Sequence, residues 1–154
     1  MTAPKDLLNW RQGVVPHLDI QENRVSESLF AVNLSRAIAR QGAQEYRDPV
    51  LFFERTHLTR TLQSLIVDVL DTVQGRPGAN SVIHLQTNFG GGKTHAELAL
   101  FHLLKSPQES ASVAHIRDFL STSGFESIPE AAVAVLPGAD LYAGGREVEE
   151  GFVI

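Results

Sequence analysis

The apolar positions of this chain fall into helical spacing more often than into alternation, and the clearest element lies near its middle. Between Thr59 and Gln74, Leu62, Leu65, Ile66, Val69, Leu70 and Val73 keep a helical repeat, while Gln63, Ser64, Asp68, Asp71 and Thr72 occupy the other side. Gly75-Arg76-Pro77-Gly78 ends that helix. A weaker repeat starts at Val25 and runs through Leu29, Val32, Leu34, Ala37 and Ile38 to a stop near Gln41-Gly42. Asp48-Pro49 opens another helix, a capping carboxylate followed by proline at the first helical position, with Leu51, Phe52 and Phe53 behind it. Upstream, Met1 to Asn23 is broken by Pro4, Gly13 and Pro16 and reads as an arm or loop.

Strands enter the pattern in the second half. Ser81-Val82-Ile83-His84-Leu85-Gln86 reads as a short, largely buried strand that a glycine run ends. Thr94 to Lys105 has the composition of a helix, apolar around most of its circumference, so it has to be covered on more than one side. Ser112 to Ser121 predicts a further helix with Val113, Ile116, Phe119 and Leu120 as its apolar face. Ala131-Ala132-Val133-Ala134-Val135-Leu136 is the second expected strand, stopped by Pro137-Gly138. Strand, helix, helix, strand is the order of a parallel α/β unit with a right-handed crossover. The expected fold class is therefore α/β, a partial parallel sheet with helices, preceded by an N-terminal helical segment. The expected division is an arm and helical segment over 1–78 and a partial core over 79–154.

Composition narrows the class without naming a chemistry. The 154 residues are 43% apolar and 20% charged, as in ordinary globular domains. A net charge of −5 gives no general attraction to nucleic acid or anionic lipid, and neither is indicated as a partner. The absence of cysteine excludes disulfides, thiol catalysis and cysteine-bound zinc. Met1 to Trp10 contains Lys5 and Asp6 and has no apolar signal core. The longest apolar run, Ala96 to Leu104, is interrupted by Glu97 and His102 and falls short of the roughly 20 residues that span a membrane. A cytoplasmic protein without a membrane segment is the expectation.

The chemistry sits between the first expected strand and its helix, in Thr87-Asn88-Phe89-Gly90-Gly91-Gly92-Lys93-Thr94. Triphosphate oxygens need several converging donors, and backbone without β-carbons brings its amides close enough to supply them. Gly90, Gly91 and Gly92 provide that backbone, and the helix that follows adds unpaired amides and a positive dipole end. Lys93 reaches the β- and γ-phosphates as a point charge, and Thr94 offers its hydroxyl to magnesium. The cofactors implied are ATP and Mg2+. Thr87 stands where the usual Walker A pattern has its first glycine, so the loop is a variant. A dinucleotide fingerprint fails on the same residues, because starting from Gly90 its sixth position is His95 rather than glycine. The expected core over 79–154 is thus a partial P-loop NTPase core, and the expected nucleotide site is Thr87, Asn88, Phe89, Gly90, Gly91, Gly92, Lys93, Thr94 and His95.

The stretch from Thr87 to His95 resembles the variant phosphate loop of a group of large prokaryotic ATP-binding proteins that carry the label domain of unknown function 499, some of them associated with anti-phage defence. The run Glu45-Tyr46-Arg47-Asp48-Pro49-Val50-Leu51-Phe52-Phe53-Glu54-Arg55-Thr56 also looks like that family, as does Leu85-Gln86. Ala132 to Leu136 is similar to its next core strand, and from Pro137 the resemblance fades. The resemblance, over roughly Pro16 to Leu136, implies that Thr87 in place of glycine is a family trait. It also implies an AAA-like ATPase in a chain several times longer, of which this would be the N-terminal portion, its partners being nucleotide and the remainder of that ATPase or other subunits.

Other residues carry weaker signals. His17-Leu18-Asp19 offers two metal ligands without a third and reads as loop. His84 reads as a hydrogen-bonded, half-buried strand residue. His95 is placed to approach a phosphate or an attacking water, with packing at the helix start as the preferred role. Phe89 either anchors the loop or touches the base. Glu97 reads as a first-turn carboxylate favoured by the helix dipole, with no catalytic role. Hydrolysis needs an acid at a strand end, and the second strand ends in Leu136-Pro137, which leaves Asp140 as a weak candidate. Arg146 lies in a tail that assigns it no role. The function expected is ATP binding as part of a larger ATPase. The alternatives are a small phosphotransferase, which lacks an arginine-rich lid here, and a non-catalytic interaction module using the Thr59 to Gln74 face.

Overall fold

The computed structural model describes residues 13–16, 18–22, 34–86, 92–129, 131–136 and 151–153. The chain divides into two compact units, Met1–Ala31 and Val32–Ile154. In the first, one helical turn, α1 (Leu18–Gln21), is closed by the Gln21 side-chain amide donating to the Pro16 carbonyl at 2.6 Å. Val14, Val15, Leu18 and Ile20 are exposed there.

The second unit is built mainly of helices: α2 (Leu34–Ile38), α3 (Gln44–Arg47), α4 (Pro49–Arg55), α5 (Arg60–Val73), α6 (Lys93–Lys105), α7 (Pro107–Ser112) and α8 (Ala114–Thr122). The part of the first expected repeat that precedes Leu34 lies outside the described residues. Asp48 closes α3 and opens α4, its carboxylate accepting from the Val50 and Leu51 amides at 2.9 and 3.1 Å. Thr59 does the same for α5, its hydroxyl accepting from the Leu62 amide at 3.3 Å. At the far end Gly75 takes φ 65°, so its amide reaches the Thr72 carbonyl and the next amide, of Arg76, reaches Asp71.

One apolar cluster joins these helices. Phe52 and Phe53 of α4, the Leu62, Leu65, Ile66, Val69 and Leu70 face of α5, and Ile116 and Leu120 of α8 are all buried in it. Helix α6 contributes Leu98, Ala99, Leu100, Leu103 and Leu104 from most of its circumference, and it packs against α2, α4 and α7. Arg76 ties the ends of α5 and α8 together: it pairs with Asp71 at 2.8 Å and lies 4.6 Å above the Phe125 ring.

The expected α/β class, with its parallel sheet, is not what forms. Ser81 to Gln86 has no strand partner among the described residues, and Val82 and Ile83 are exposed by 85% and 37%. A parallel strand is stable only when both faces are covered and a neighbour takes its hydrogen bonds. The described sheet is instead a two-stranded antiparallel ladder of β1 (Ala134–Leu136) and β2 (Gly151–Val153), with Ala134 opposite Val153 and Leu136 opposite Gly151. The second expected strand is thus shortened to three residues and paired antiparallel. The described architecture is a helical unit with a small ladder, not a parallel P-loop core.

Candidate functional site

Helix α6 begins differently from α4 and α5. Its N-cap is Gly92, at φ 81° and ψ 14°, a left-handed conformation that side chains rarely adopt. Glycine has no side chain with which to cap the first turn, and the first helical bond runs from the Ala96 amide to the Gly92 carbonyl at 2.9 Å. Lys93, Thr94 and His95 are therefore the first three helical residues, all half-buried. Thr87, Asn88, Phe89, Gly90 and Gly91 lie outside the described residues.

Beside this helix end is a cavity of about 260 Å³. Gly92, Lys93, His95 and Ala96 line it from α6, Leu85 from the segment before the loop, and His57, Thr59, Thr61, Leu62 and Leu65 from the start of α5 and its approach. A shallower hollow of about 450 Å³ adjoins the α4–α5 connection, lined by Glu54 to Leu58, Gln63, His115 and Phe119, and His57 borders both.

His95 is held from two sides. Its ring lies 4.7 Å from that of Phe52, tilted by 34°, and its Nε2 is 3.1 Å from the Thr56 hydroxyl. The Thr56 hydroxyl in turn donates to the Phe52 carbonyl at 2.7 Å. Burial pushes the His95 imidazole below its ordinary pKa of 6.5. Two turns further along α6, His102 packs against the same Phe52 ring at 5.1 Å and donates from Nε2 to the Tyr46 carbonyl at 2.9 Å. Burial lowers its pKa too, partly opposed by that hydrogen bond and by the charge of Asp48.

Thus Gly92, Lys93, Thr94 and His95 share one helix end, and Gly92, Lys93 and His95 share the cavity wall. His84, expected in a strand, is an exposed coil residue. Glu97 lies in the second helical turn rather than the first, and it is buried. Phe89, Asp140, Arg146 and His17 lie outside the described residues. Thr56, His57, Thr59 and Thr61 escaped sequence reasoning as site residues. The one signal for Thr56 was its place at the end of the run from Glu45 that resembled the family. Among the described residues no helix is long and apolar enough to cross a membrane. No group of three or more His, Asp or Glu among them is placed to hold a metal ion.

Fold and site together define a helical unit that presents a glycine-lysine-threonine turn at the amino end of a buried helix. Compared with known proteins, the chain matches the family described as the DUF499 N-terminal domain over residues 14–126, and it belongs to that family. No curated protein and no solved structure matches it.

Proposed function

We propose that this chain binds a nucleoside triphosphate, ATP with magnesium, at the amino end of α6, as one part of a larger ATPase. The observation that carries this reading is the cavity beside Gly92 and Lys93 at the start of a 13-residue helix whose N-cap is a left-handed glycine. Such a helix end offers amides and a positive dipole to an anion, and Lys93 adds a full charge next to them. Thr94 is the second helical residue. Its hydroxyl suits magnesium, which keeps several waters and takes few protein ligands when it arrives with phosphates. When bound, the ion would neutralise charge on the phosphate oxygens.

At about 260 Å³ the cavity is smaller than the roughly 300–1,000 Å³ of pockets that enclose a drug-sized ligand. It therefore takes one portion of the nucleotide. Leu62, Leu65, Leu85 and Ala96 form an apolar wall suited to the nucleoside, with the hydroxyls of Thr59 and Thr61 at hand. The phosphates extend toward Gly92 and the α6 amides. The strand-end acid and arginine finger of an ATPase come, in this reading, from other segments, and the activity is placed in the cytoplasm, where ATP and magnesium are abundant.

Calorimetric titration with AMP, ADP and ATP in magnesium tests the proposal. Affinity should rise with each phosphate, and phosphate release by the 154-residue chain alone should match a Lys93→Ala control. Equal affinity for AMP and ATP, or no binding at all, would contradict it.

A further inference from the structure

Thr56 is 5% exposed, and it sits where α4 ends and the chain turns toward α5. Its hydroxyl oxygen lies 2.7 Å from the Phe52 carbonyl oxygen, a separation that two oxygens keep only with a proton between them. A hydroxyl has one proton, and here it goes to Phe52. Toward His95, 3.1 Å away and 39 residues along the chain, Thr56 can then only accept. The Nε2 of His95 must carry a hydrogen, and a neutral imidazole with its proton on Nε2 has its lone pair on Nδ1. The Phe52 ring, 4.7 Å away, limits the imidazole from a further direction. His95 is also the third residue of α6, so its backbone belongs to the amide turn that faces the proposed phosphates.

We propose that the Thr56–His95 hydrogen bond is a strut that positions the amino end of α6 for the triphosphate, with Thr56 and His95 as positioning residues. This rests on the nucleotide reading of the same helix end. Donors aimed at phosphate oxygens lose much of their value when displaced by about 1 Å. The strut fixes their register against α4, an element that itself does not line the 260 Å³ cavity. Without the Thr56 hydroxyl, the half-buried Nε2–H has no acceptor at that position. The ring then changes tautomer or shifts, and the first turn of α6 moves with it.

The test uses the whole 154-residue chain with ¹⁵N-labelled histidine, comparing wild type, Thr56→Val, which keeps the shape, and Thr56→Ser, which keeps the hydroxyl. Imidazole ¹⁵N spectra report the tautomer, Mg·ATP titration reports affinity, and circular dichroism reports folding at the titration temperature. Wild type should show the Nε2–H form of His95, and Thr56→Ser should retain both the tautomer and the affinity. Thr56→Val should mix the tautomers and weaken Mg·ATP binding by about tenfold. A folded Thr56→Val with unchanged affinity overturns the strut, even if its melting temperature falls, because Thr56 then only stabilises. Should Thr56→Val not fold, His95→Gln, which keeps a donor, is compared with His95→Leu, which does not. Equal affinities of those two would overturn the proposal equally. The two readings fail differently: no binding by wild type sinks the nucleotide reading and the strut with it. Binding that Lys93→Ala abolishes and Thr56→Val leaves intact sinks the strut alone.

Discussion

Gly92 illustrates how a single residue can be required by conformation and not by crowding. A Cβ built there meets nothing within 4 Å, yet φ is 81°. Gly92→Ala should therefore cost about 1–2 kcal/mol of stability through left-handed strain, read as a lower denaturant midpoint with an unchanged slope. A midpoint equal to wild type would mean that the turn relaxes without cost. Thr94, one residue inside the helix, separates metal from packing. Thr94→Ala should weaken ATP binding far more in magnesium than in excess chelator, while Thr94→Ser stays near wild type. Equal losses in both media would show that Thr94 only packs. The Gly92, Lys93 and Thr94 cluster was legible from sequence because contiguous residues carry it. The pairing of Thr56 with His95 was not, since a contact across 39 residues leaves no trace in local spacing.

Among the elements, the helices that the sequence announced most clearly are those with local chemistry at their ends. Asp48-Pro49 and Thr59 open α4 and α5 at the expected places, and Gly75 closes α5 one turn beyond its last buried leucine. Asp48→Ala should cost about 1 kcal/mol in chemical denaturation. A loss below a few tenths would show that the two amides of Val50 and Leu51 are satisfied otherwise. Strands fared worse for a physical reason. A short apolar run such as Val82-Ile83-His84-Leu85 has a strand's composition, but a strand exists only through a partner. No described segment pairs with this one, so it stays coil, with Val82, Ile83 and His84 exposed and Leu85 half-buried against the core. The run ending at Leu136 found an antiparallel neighbour at Gly151–Val153, where the sequence offered no readable pattern.

For the molecule as a whole, α6 explains why one helix decides both fold and site. It is apolar nearly all round because α2, α4 and α7 cover it, and its two histidines grip the Phe52 ring along one face. Burial lowers the pKa of both His95 and His102 below 6.5, so in that range the unfolded chain binds more protons than the folded one. Their contribution to stability is present above about pH 6.5 and is lost as the pH falls through their folded values. Urea unfolding at about pH 7.5 and about pH 5.5 should show lower stability in acid, and His95→Gln with His102→Gln should reduce that difference. An unaltered difference would assign it to carboxylates instead.

In the proposed reading the amino end of α6 holds a triphosphate through Lys93. Binding through Lys93 is tested most directly by titrating a fluorescent ATP analogue, with magnesium, into wild type and Lys93→Ala, circular dichroism showing both to be folded. Saturable binding to wild type and none to Lys93→Ala is the predicted result, since Lys93 is the one side-chain charge assigned to the phosphates. The same affinity in both folded proteins would contradict the account.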